Sequence, residues 1–268
     1  MRRLLTCLLL CLAACGSPPK LSPYEERYEG QRHQALSSLE KGDLESAERG
    51  WMKALDLARL MDDVERQANA RLALAQVVWL QGREEVAIEQ ARFVGETPYF
   101  GRNKAGLAKA FMGQMYLRAG QGGLAQRSLE GAAEACRGCD WQAYLDNLRS
   151  SLYLAHGDLD KAEDFAKSAA DDAAETSERS QALRNLAAVQ FKRGQYAQGS
   201  ESINRALLLD RQAGRPEGLA ASYALLVQNT PEGQTEYQAA RSHLFELCQA
   251  LPVWVRDCQG LKRVGKSS

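Results

Sequence analysis

The chain has 268 residues, with 34 basic and 34 acidic side chains and no net charge at pH 7. Without a basic excess, the composition argues against a nucleic-acid-binding protein. Leu and Ala outnumber the β-branched residues and only seven prolines occur, which favours an all-α protein.

The first segment, residues 1–14, has the pattern of a secretory signal peptide. Arg2 and Arg3 precede an apolar run that is too short to span a bilayer and that ends in small residues. The sequence LAAC at 12–15 resembles the lipobox of bacterial lipoproteins. That resemblance implies cleavage before Cys15, a diacylglycerol on its thiol and acylation of the new amino terminus. An ordinary signal peptide cleaved nearby, with Cys15 incidental, is the alternative.

Residues 15–27 are predicted to form a lipidated tether. The stretch GSPPKLSP at 16–23 is rich in Pro, Ser and Gly, which favours a semi-extended linker. More than one acyl chain holds a protein firmly at a membrane. No Asp follows Cys15 directly, and this resembles lipoproteins of the outer membrane that face the periplasm. The mature chain would carry 32 basic and 34 acidic residues, a net charge of −2.

Glycines recur along the rest of the chain at intervals of 37 to 40 residues. Glycine tolerates the positive φ of a tight turn between two helices. Alanines follow at fixed distances, where close helix packing requires small side chains, but the sixth unit has Gln238 and Phe245 instead. The repeating glycines are Gly42, Gly82, Gly120, Gly157, Gly194 and Gly233.

This pattern resembles the tetratricopeptide repeat. The segment 108–135 matches best, with Gly113, Tyr116 and Gly120 in the expected places, and 181–210 matches nearly as well. The resemblance implies a right-handed solenoid over 28–250, with five clear helix–turn–helix repeats, a degenerate sixth and a C-terminal tail at 251–268. The spacing exceeds the usual period of about 34 residues, so helices or connectors are expected to be longer. An unrelated helical bundle would not keep a fixed period.

Four cysteines lie beyond the predicted tether. Because disulfides persist in exported proteins, Cys136 and Cys139 are predicted to form a structural clip or to stay a reduced pair. Cys248 and Cys258 are predicted to staple the tail to the last helix. A redox site at CRGC stays open as an alternative, although a thioredoxin-type motif needs a βαβ setting. No metal site is expected, because none of the three histidines lies close to this pair.

In proteins with this repeat, the first helix of each pair lines a concave groove. Amides, arginines and an aromatic there could hydrogen-bond an extended peptide and hold one apolar anchor. The second interpretation is that these side chains face solvent or neighbouring helices. Counting back from the glycines assigns to the groove Leu72, Gln76, Trp79, Gln114, Arg118, Asn147, Arg184, Ala188 and Phe191.

No arrangement of residues predicts catalysis or a cofactor. The expected function is therefore a non-catalytic scaffold or assembly factor that binds protein partners in the cell envelope. The resemblance implies either a pilotin-type lipoprotein, which supports secretin assembly, or an adaptor for cell-wall enzymes. A small-ligand-binding protein that uses the groove near Trp79 is a further alternative, and a dithiol redox protein is less favoured.

Overall fold

The computed structural model describes residues 21–252 and 254–258. Within these ranges every regular element is helical, as the composition predicts. No helix there is both long and apolar enough to cross a bilayer. The predicted signal peptide at 1–14 and the predicted lipidation site Cys15 lie outside the described residues.

Twelve α-helices in the described ranges form six consecutive pairs, and each helix packs against its neighbours in the chain. Two short 3-10 turns occur at Pro98–Phe100 and Arg256–Cys258. The helices are α1 (Pro23–Glu40), α2 (Leu44–Leu60), α3 (Val64–Leu80), α4 (Glu84–Glu96), α5 (Gly101–Arg118), α6 (Gly122–Ala135), α7 (Gln142–His156), α8 (Leu159–Asp172), α9 (Thr176–Lys192), α10 (Tyr196–Gln212), α11 (Pro216–Asn229) and α12 (Thr235–Ala250).

The first helix begins at Pro23, inside the segment that was predicted to be tether up to residue 27. Ser22 and Glu25 form a capping box, in which each side chain accepts a hydrogen bond from the other residue's backbone N–H. These hydrogen bonds lower the pKa of the Glu25 carboxyl. Pro23 occupies the first helical position, where its fixed φ suits the helix. The Pro- and Ser-rich stretch that favours a linker therefore includes the N-cap and the first residue of α1.

Turn glycines separate the two helices of the first five pairs. At these five predicted positions, from Gly42 to Gly194, φ lies between 70° and 81°. Gly233 is not among the glycines with positive φ, and the connection between α11 and α12 has no such turn. The sixth pair thus departs from the others, as its degenerate motif predicts.

Small side chains let the helices approach closely. Ala47, Ala54, Ala125 and Ala132 are fully buried at the predicted spacing. A Cβ built on Gly50 would lie 2.8 Å from the Cβ of Ala35, which leaves no room for a side chain. The repeating small residues therefore mark the contacts between α-helices of one pair.

The second half of the solenoid contains a buried polar layer. One apolar cluster of buried residues extends from Tyr28 to Leu152, and another extends from Ala187 to Cys258. Between and beside them lie the buried polar side chains Asp146, Asn147, Ser150, Ser180, Arg184, Asn185, Ser202, Asp210 and Ser222. Several of these residues form the floor of the concave surface.

Candidate functional site

Two adjoining cavities of about 430 Å³ and 300 Å³ form a groove on the concave surface. The α-helical residues that line them all belong to odd-numbered helices, the first helix of each pair. The groove therefore lies where the repeat pattern predicts it. The two cavities share Gln114, Arg118, Gln181, Arg184 and Arg215.

A buried ion pair forms part of the groove floor. Arg184 Nη1 donates to Asp210 Oδ2 at 2.6 Å, and the Ser180 hydroxyl donates to Asp210 Oδ1 at 2.8 Å. Arg184 is 6% exposed and Asp210 is fully buried. Burial lowers the pKa of the Arg184 guanidinium, and the nearby Asp210 carboxylate opposes that shift. Asp210 thereby fixes the orientation of Arg184 at the edge of the cavity.

Arg215 adds a second cation beside the same carboxylate. Its Nη1 lies 3.4 Å from Asp210 Oδ1 without hydrogen-bond geometry. Because one buried carboxylate serves both Arg184 and Arg215, this corner of the groove has an excess of positive charge.

Trp79 and Arg118 stack on the opposite side of the larger cavity. The Arg118 guanidinium carbon lies 4.4 Å from the centre of the Trp79 ring, which is a cation–π contact. Arg118 makes no hydrogen bond or ion pair with any residue of the described ranges. Desolvation by surrounding protein and the charge of Arg256 lower the pKa of Arg118. The charge of Asp257 opposes that shift, so the exposed Arg118 side chain has an anion nearby but forms no ion pair with it.

Amide groups connect neighbouring odd helices beneath the smaller cavity. Asn147 Nδ2 donates to the Glu178 carbonyl at 3.0 Å, and Asn185 Nδ2 donates to the Asn147 carbonyl at 2.9 Å. The Tyr144 hydroxyl donates to Gln114 Oε1 at 3.2 Å, and burial raises the pKa of Tyr144. These contacts hold α5, α7 and α9 together, so Asn147 has a structural partner inside the protein.

The residues that follow α12 cross the groove. We call Leu251, Pro252 and Trp254–Cys258 the strap. Cys258 is disulfide-bonded to Cys248 of α12, with their Cα atoms 5.2 Å apart. The strap lines the larger cavity with Trp254, Val255, Arg256 and Asp257.

The strap also reaches the first repeat. A Cβ built on Gly42, in the turn between α1 and α2, would lie 3.3 Å from Pro252 Cβ and 3.9 Å from Trp254 Nε1. The end of the described chain therefore meets the first turn of the solenoid. The tail at 251–268 is thus, over its described residues, a wall of the groove.

Six of the nine residues assigned to the groove line it. Gln76, Trp79, Gln114, Arg118 and Arg184 line the larger cavity, and Asn147 lines the smaller one.

The assignments of Leu72, Ala188 and Phe191 need correction, because none of them lines either cavity. Leu72 packs, partly buried, against the apolar core. Phe191 is buried, and its ring fills the space in which a Cβ on Gly199 would lie, so it faces α10. Ala188 is half-buried.

The reason for these errors is that the lining position shifts along the helices. In α3 and α5 the lining residues lie near the C-terminal end, whereas in α9 and α11 they lie near the N-terminal end. A superhelix rotates each repeat relative to the last. No single count back from the turn glycines therefore fits every repeat: the most distant position misses the groove at Leu72 in α3, and the two nearer positions miss it at Ala188 and Phe191 in α9.

Sequence reasoning did not assign Gln181, Arg215 or the strap to the groove. Arg215 precedes α11 and belongs to no repeat position, so repeat counting could not find it. One feature of the sequence could have indicated the strap, namely the apolar segment near Trp254 between two cysteines.

The second cysteine pair lies away from the groove. Cys136 and Cys139 are disulfide-bonded in the connection between α6 and α7, with Cα atoms 5.0 Å apart. Next to it, Trp141 Nε1 donates a hydrogen bond to Asn103 Oδ1 of α5. No group of three or more metal-ligating side chains occurs among the residues that the structure describes.

Comparison with known proteins gives matches in structure alone. No protein-family model matches the chain, and no curated protein sequence matches it. A chain of the APC/C Cut9–Hcn1 hetero-tetramer is 14% identical, with a TM-score of 0.64 over 88% of this chain. This chain spans only 43% of that one.

Two bacterial structures are similar over more of their own length. The Rap conjugation gene regulator of plasmid pLS20, solved with the Phr* peptide, is 14% identical, with a TM-score of 0.65 over 90% of this chain and 72% of that one. PilF of Pseudomonas aeruginosa is 17% identical, with a TM-score of 0.52 over 82% of this chain and 99% of that one. The chain thus has the all-α solenoid fold of tetratricopeptide-type repeat proteins, as its repeat pattern predicts.

Proposed function

We propose that this protein is a non-catalytic scaffold that binds an extended segment of a partner protein in its concave groove. The observation that carries this proposal is the lining of the groove. Glutamine and arginine side chains alternate with the aromatic residues Trp79, Phe111 and Trp254 along it. Such a lining can hydrogen-bond a peptide backbone and accept an apolar side chain.

Two structurally similar proteins support a binding role. The Rap regulator was solved in complex with a peptide, and the Cut9 solenoid was solved in a hetero-tetramer. At 14% identity these similarities extend to the fold, so the proposal for this chain depends on its own groove.

We further propose that the scaffold acts at the outer membrane, facing the periplasm, through lipid on Cys15. The lipobox-like sequence LAAC supports this location. Assembly of an envelope machine such as a pilus or a secretion system fits this place, and an adaptor for cell-wall enzymes is the alternative. Because α1 begins at Pro23, only seven residues lie between Cys15 and the solenoid, and the eight steps from Cys15 to Pro23 span about 28 Å when fully extended.

A cross-linking pull-down from intact membranes tests the binding role. The bait is the full chain, compared with a Gln76→Ala/Trp79→Ala variant of the groove. Tyr196→Ala is the matched control, because Tyr196 is 58% exposed on α10, outside the groove. We expect a partner that is lost with the groove variant and kept with the control. A partner captured equally by all three proteins would place the interface elsewhere and contradict the proposal.

Fractionation of cells tests the anchor separately. Cys15→Ser should leave uncleaved precursor and release the chain from membranes that retain the wild type. Cleavage of this variant to a membrane-bound product would contradict lipidation at Cys15.

A further inference from the structure

Exposed apolar side chains concentrate where odd-numbered helices begin and even-numbered helices end, in the first two pairs and the connection to α5. Of the eleven large hydrophobic side chains that are exposed in the described ranges, five lie there. A cluster of exposed apolar side chains marks a contact with a partner or a membrane. We call these five residues the entry edge: Leu21, Tyr24, Leu60, Phe93 and Tyr99.

Contacts between neighbouring repeats bring the parts of the entry edge to one side of the molecule. Arg66 Nη1, near the start of α3, lies 3.4 Å from Glu25 Oε1 in the first turn of α1. The Tyr99 hydroxyl, just before α5, donates to Asp62 Oδ1, just before α3, at 2.9 Å. Leu60, the most exposed of the five side chains at 70%, lies two residues before Asp62. The starts of α1, α3 and α5 are therefore adjacent.

Arginines lie over two of the aromatic rings of the entry edge. The guanidinium carbon of Arg27 is 5.8 Å from the centre of the Tyr24 ring, and that of Arg71 is 4.1 Å from the centre of the Phe93 ring. Side chains with an apolar body and a polar end, such as tyrosine and arginine, are favoured at the boundary between lipid headgroups and acyl chains. The entry edge therefore has the chemistry of a surface that lies on a bilayer.

Charged side chains beside the entry edge are paired with each other. Arg59 Nη1 lies 2.8 Å from Asp56 Oδ1, and Arg66 Nη1 lies 2.6 Å from Asp63 Oδ2. These pairs balance their own charges, so they give the edge no excess of one sign. Attraction to a bilayer would then come from the apolar side chains and would persist at high salt, which screens exposed charges.

The proposed lipid anchor would hold this edge close to the bilayer. The chain from Cys15 to Pro23 spans about 28 Å when fully extended, and Pro23 begins α1 at the entry edge. The other end of α1, next to Gly42 and the strap, lies about 27 Å further along the helix. A short tether raises the effective concentration of the nearer surface at the membrane.

We propose that the entry edge docks on the phospholipid surface to which Cys15 is anchored, with its apolar side chains at the boundary between headgroups and acyl chains. This inference rests on the proposed membrane anchor and deepens it, because it gives the anchored scaffold a fixed orientation. The opposite edge, where Gly42 meets the strap, then faces away from the bilayer.

Photo-cross-linking in intact membranes tests the docking. A photo-reactive benzoylphenylalanine replaces Tyr99 in the full chain, and mass spectrometry after irradiation measures the phospholipid adducts. Tyr196 is the matched control position, because it is an exposed tyrosine at the first residue of α10, on the opposite edge. We expect several times more phospholipid adducts at position 99 than at position 196, at low and at high salt.

A second variant separates docking from proximity that the tether alone would cause. Leu60→Ser removes an exposed apolar side chain of the entry edge and should lower the adduct yield at position 99 about threefold or more, because apolar surface drives the docking. Leu124→Ser is the matched control, because Leu124 is exposed in the first turn of α6, on the opposite edge, and it should leave the yield unchanged. Circular dichroism verifies that both variants are folded.

The outcomes separate failure of the docking from failure of the anchor. Equal lipid labelling at positions 99 and 196, or an unchanged yield in Leu60→Ser, would overturn the docking. Adducts at position 99 to another protein or to a second copy of this chain, in place of lipid, would assign the edge to that partner and also overturn it. A membrane-bound chain without lipid adducts keeps the anchor and removes the docking alone, whereas a chain in the soluble fraction removes both.

Discussion

Asp210 shows how a single side chain determines the floor of the groove. Its carboxylate is fully buried, faces Arg184 and Arg215, and accepts a hydrogen bond from Ser180. A buried ion pair adds little net stability over an apolar pair, but removing one partner leaves a buried charge uncompensated. The sequence gives no sign of this pairing, because Arg184 and Asp210 are 26 residues apart on different helices.

We predict that Asp210→Ala lowers the free energy of unfolding by about 3–5 kcal/mol, because it leaves the Arg184 guanidinium buried without a counter-charge. Urea denaturation followed by circular dichroism measures this change. Asp56→Ala is the control, since it breaks the exposed Arg59–Asp56 pair and should cost less than about 1 kcal/mol. If the two variants lose equal stability, the Arg184–Asp210 ion pair does not stabilise the floor of the groove.

At the scale of helices, the repeat pattern predicts the turns and the close contacts, but not the register of the groove. Local geometry determines where turn glycines and buried alanines are needed, so positions such as Gly82 and Ala87 can be predicted from the sequence. The rotation between repeats depends on side-chain packing over several helices. For that reason the count assigns Leu72 and Phe191 to the groove, whereas in the structure Leu72 packs, partly buried, against the apolar core and Phe191 is buried against α10.

One helix contact is tight enough to test directly. A Cβ on Gly218 of α11 would overlap the Asp210 carboxylate of α10, so we predict that Gly218→Ala destabilises the fold by about 1–3 kcal/mol. Gly123→Ala on α6 has nothing within 4 Å of the new methyl group, and it should change stability little or add up to about 1 kcal/mol. Thermal unfolding of both variants measures the difference. Equal melting temperatures would show that α11 can move away from α10.

At the scale of the molecule, the strap brings repeats that are distant in the chain into contact. In an open solenoid each repeat contacts only its neighbours, and stability is a sum over adjacent units. Here Pro252 lies against Gly42, so the last part of the described chain contacts the first turn. The first and last repeats are therefore coupled through space.

We predict that Cys248→Ser/Cys258→Ser speeds amide hydrogen exchange in α1 and α2 as well as in the strap. Loss of the cross-link frees the strap from α12 and costs about 2–3 kcal/mol of stability. Exchange measured by mass spectrometry on peptic fragments locates the effect. Cys136→Ser/Cys139→Ser is the control, since that disulfide does not hold the strap. Unchanged exchange in α1 and α2 would show that the contact at Gly42 does not couple the ends.

The position of the strap also sets the time at which the groove is complete during biosynthesis. Trp254 and its neighbours are translated after the twelve described α-helices, and the Cys248–Cys258 disulfide that holds them requires an oxidising compartment. Before that bond forms, the groove already has its helical walls but lacks a fixed Trp254. A ligand that needs this indole will therefore engage the mature, oxidised protein and will not be captured by its reduced precursor.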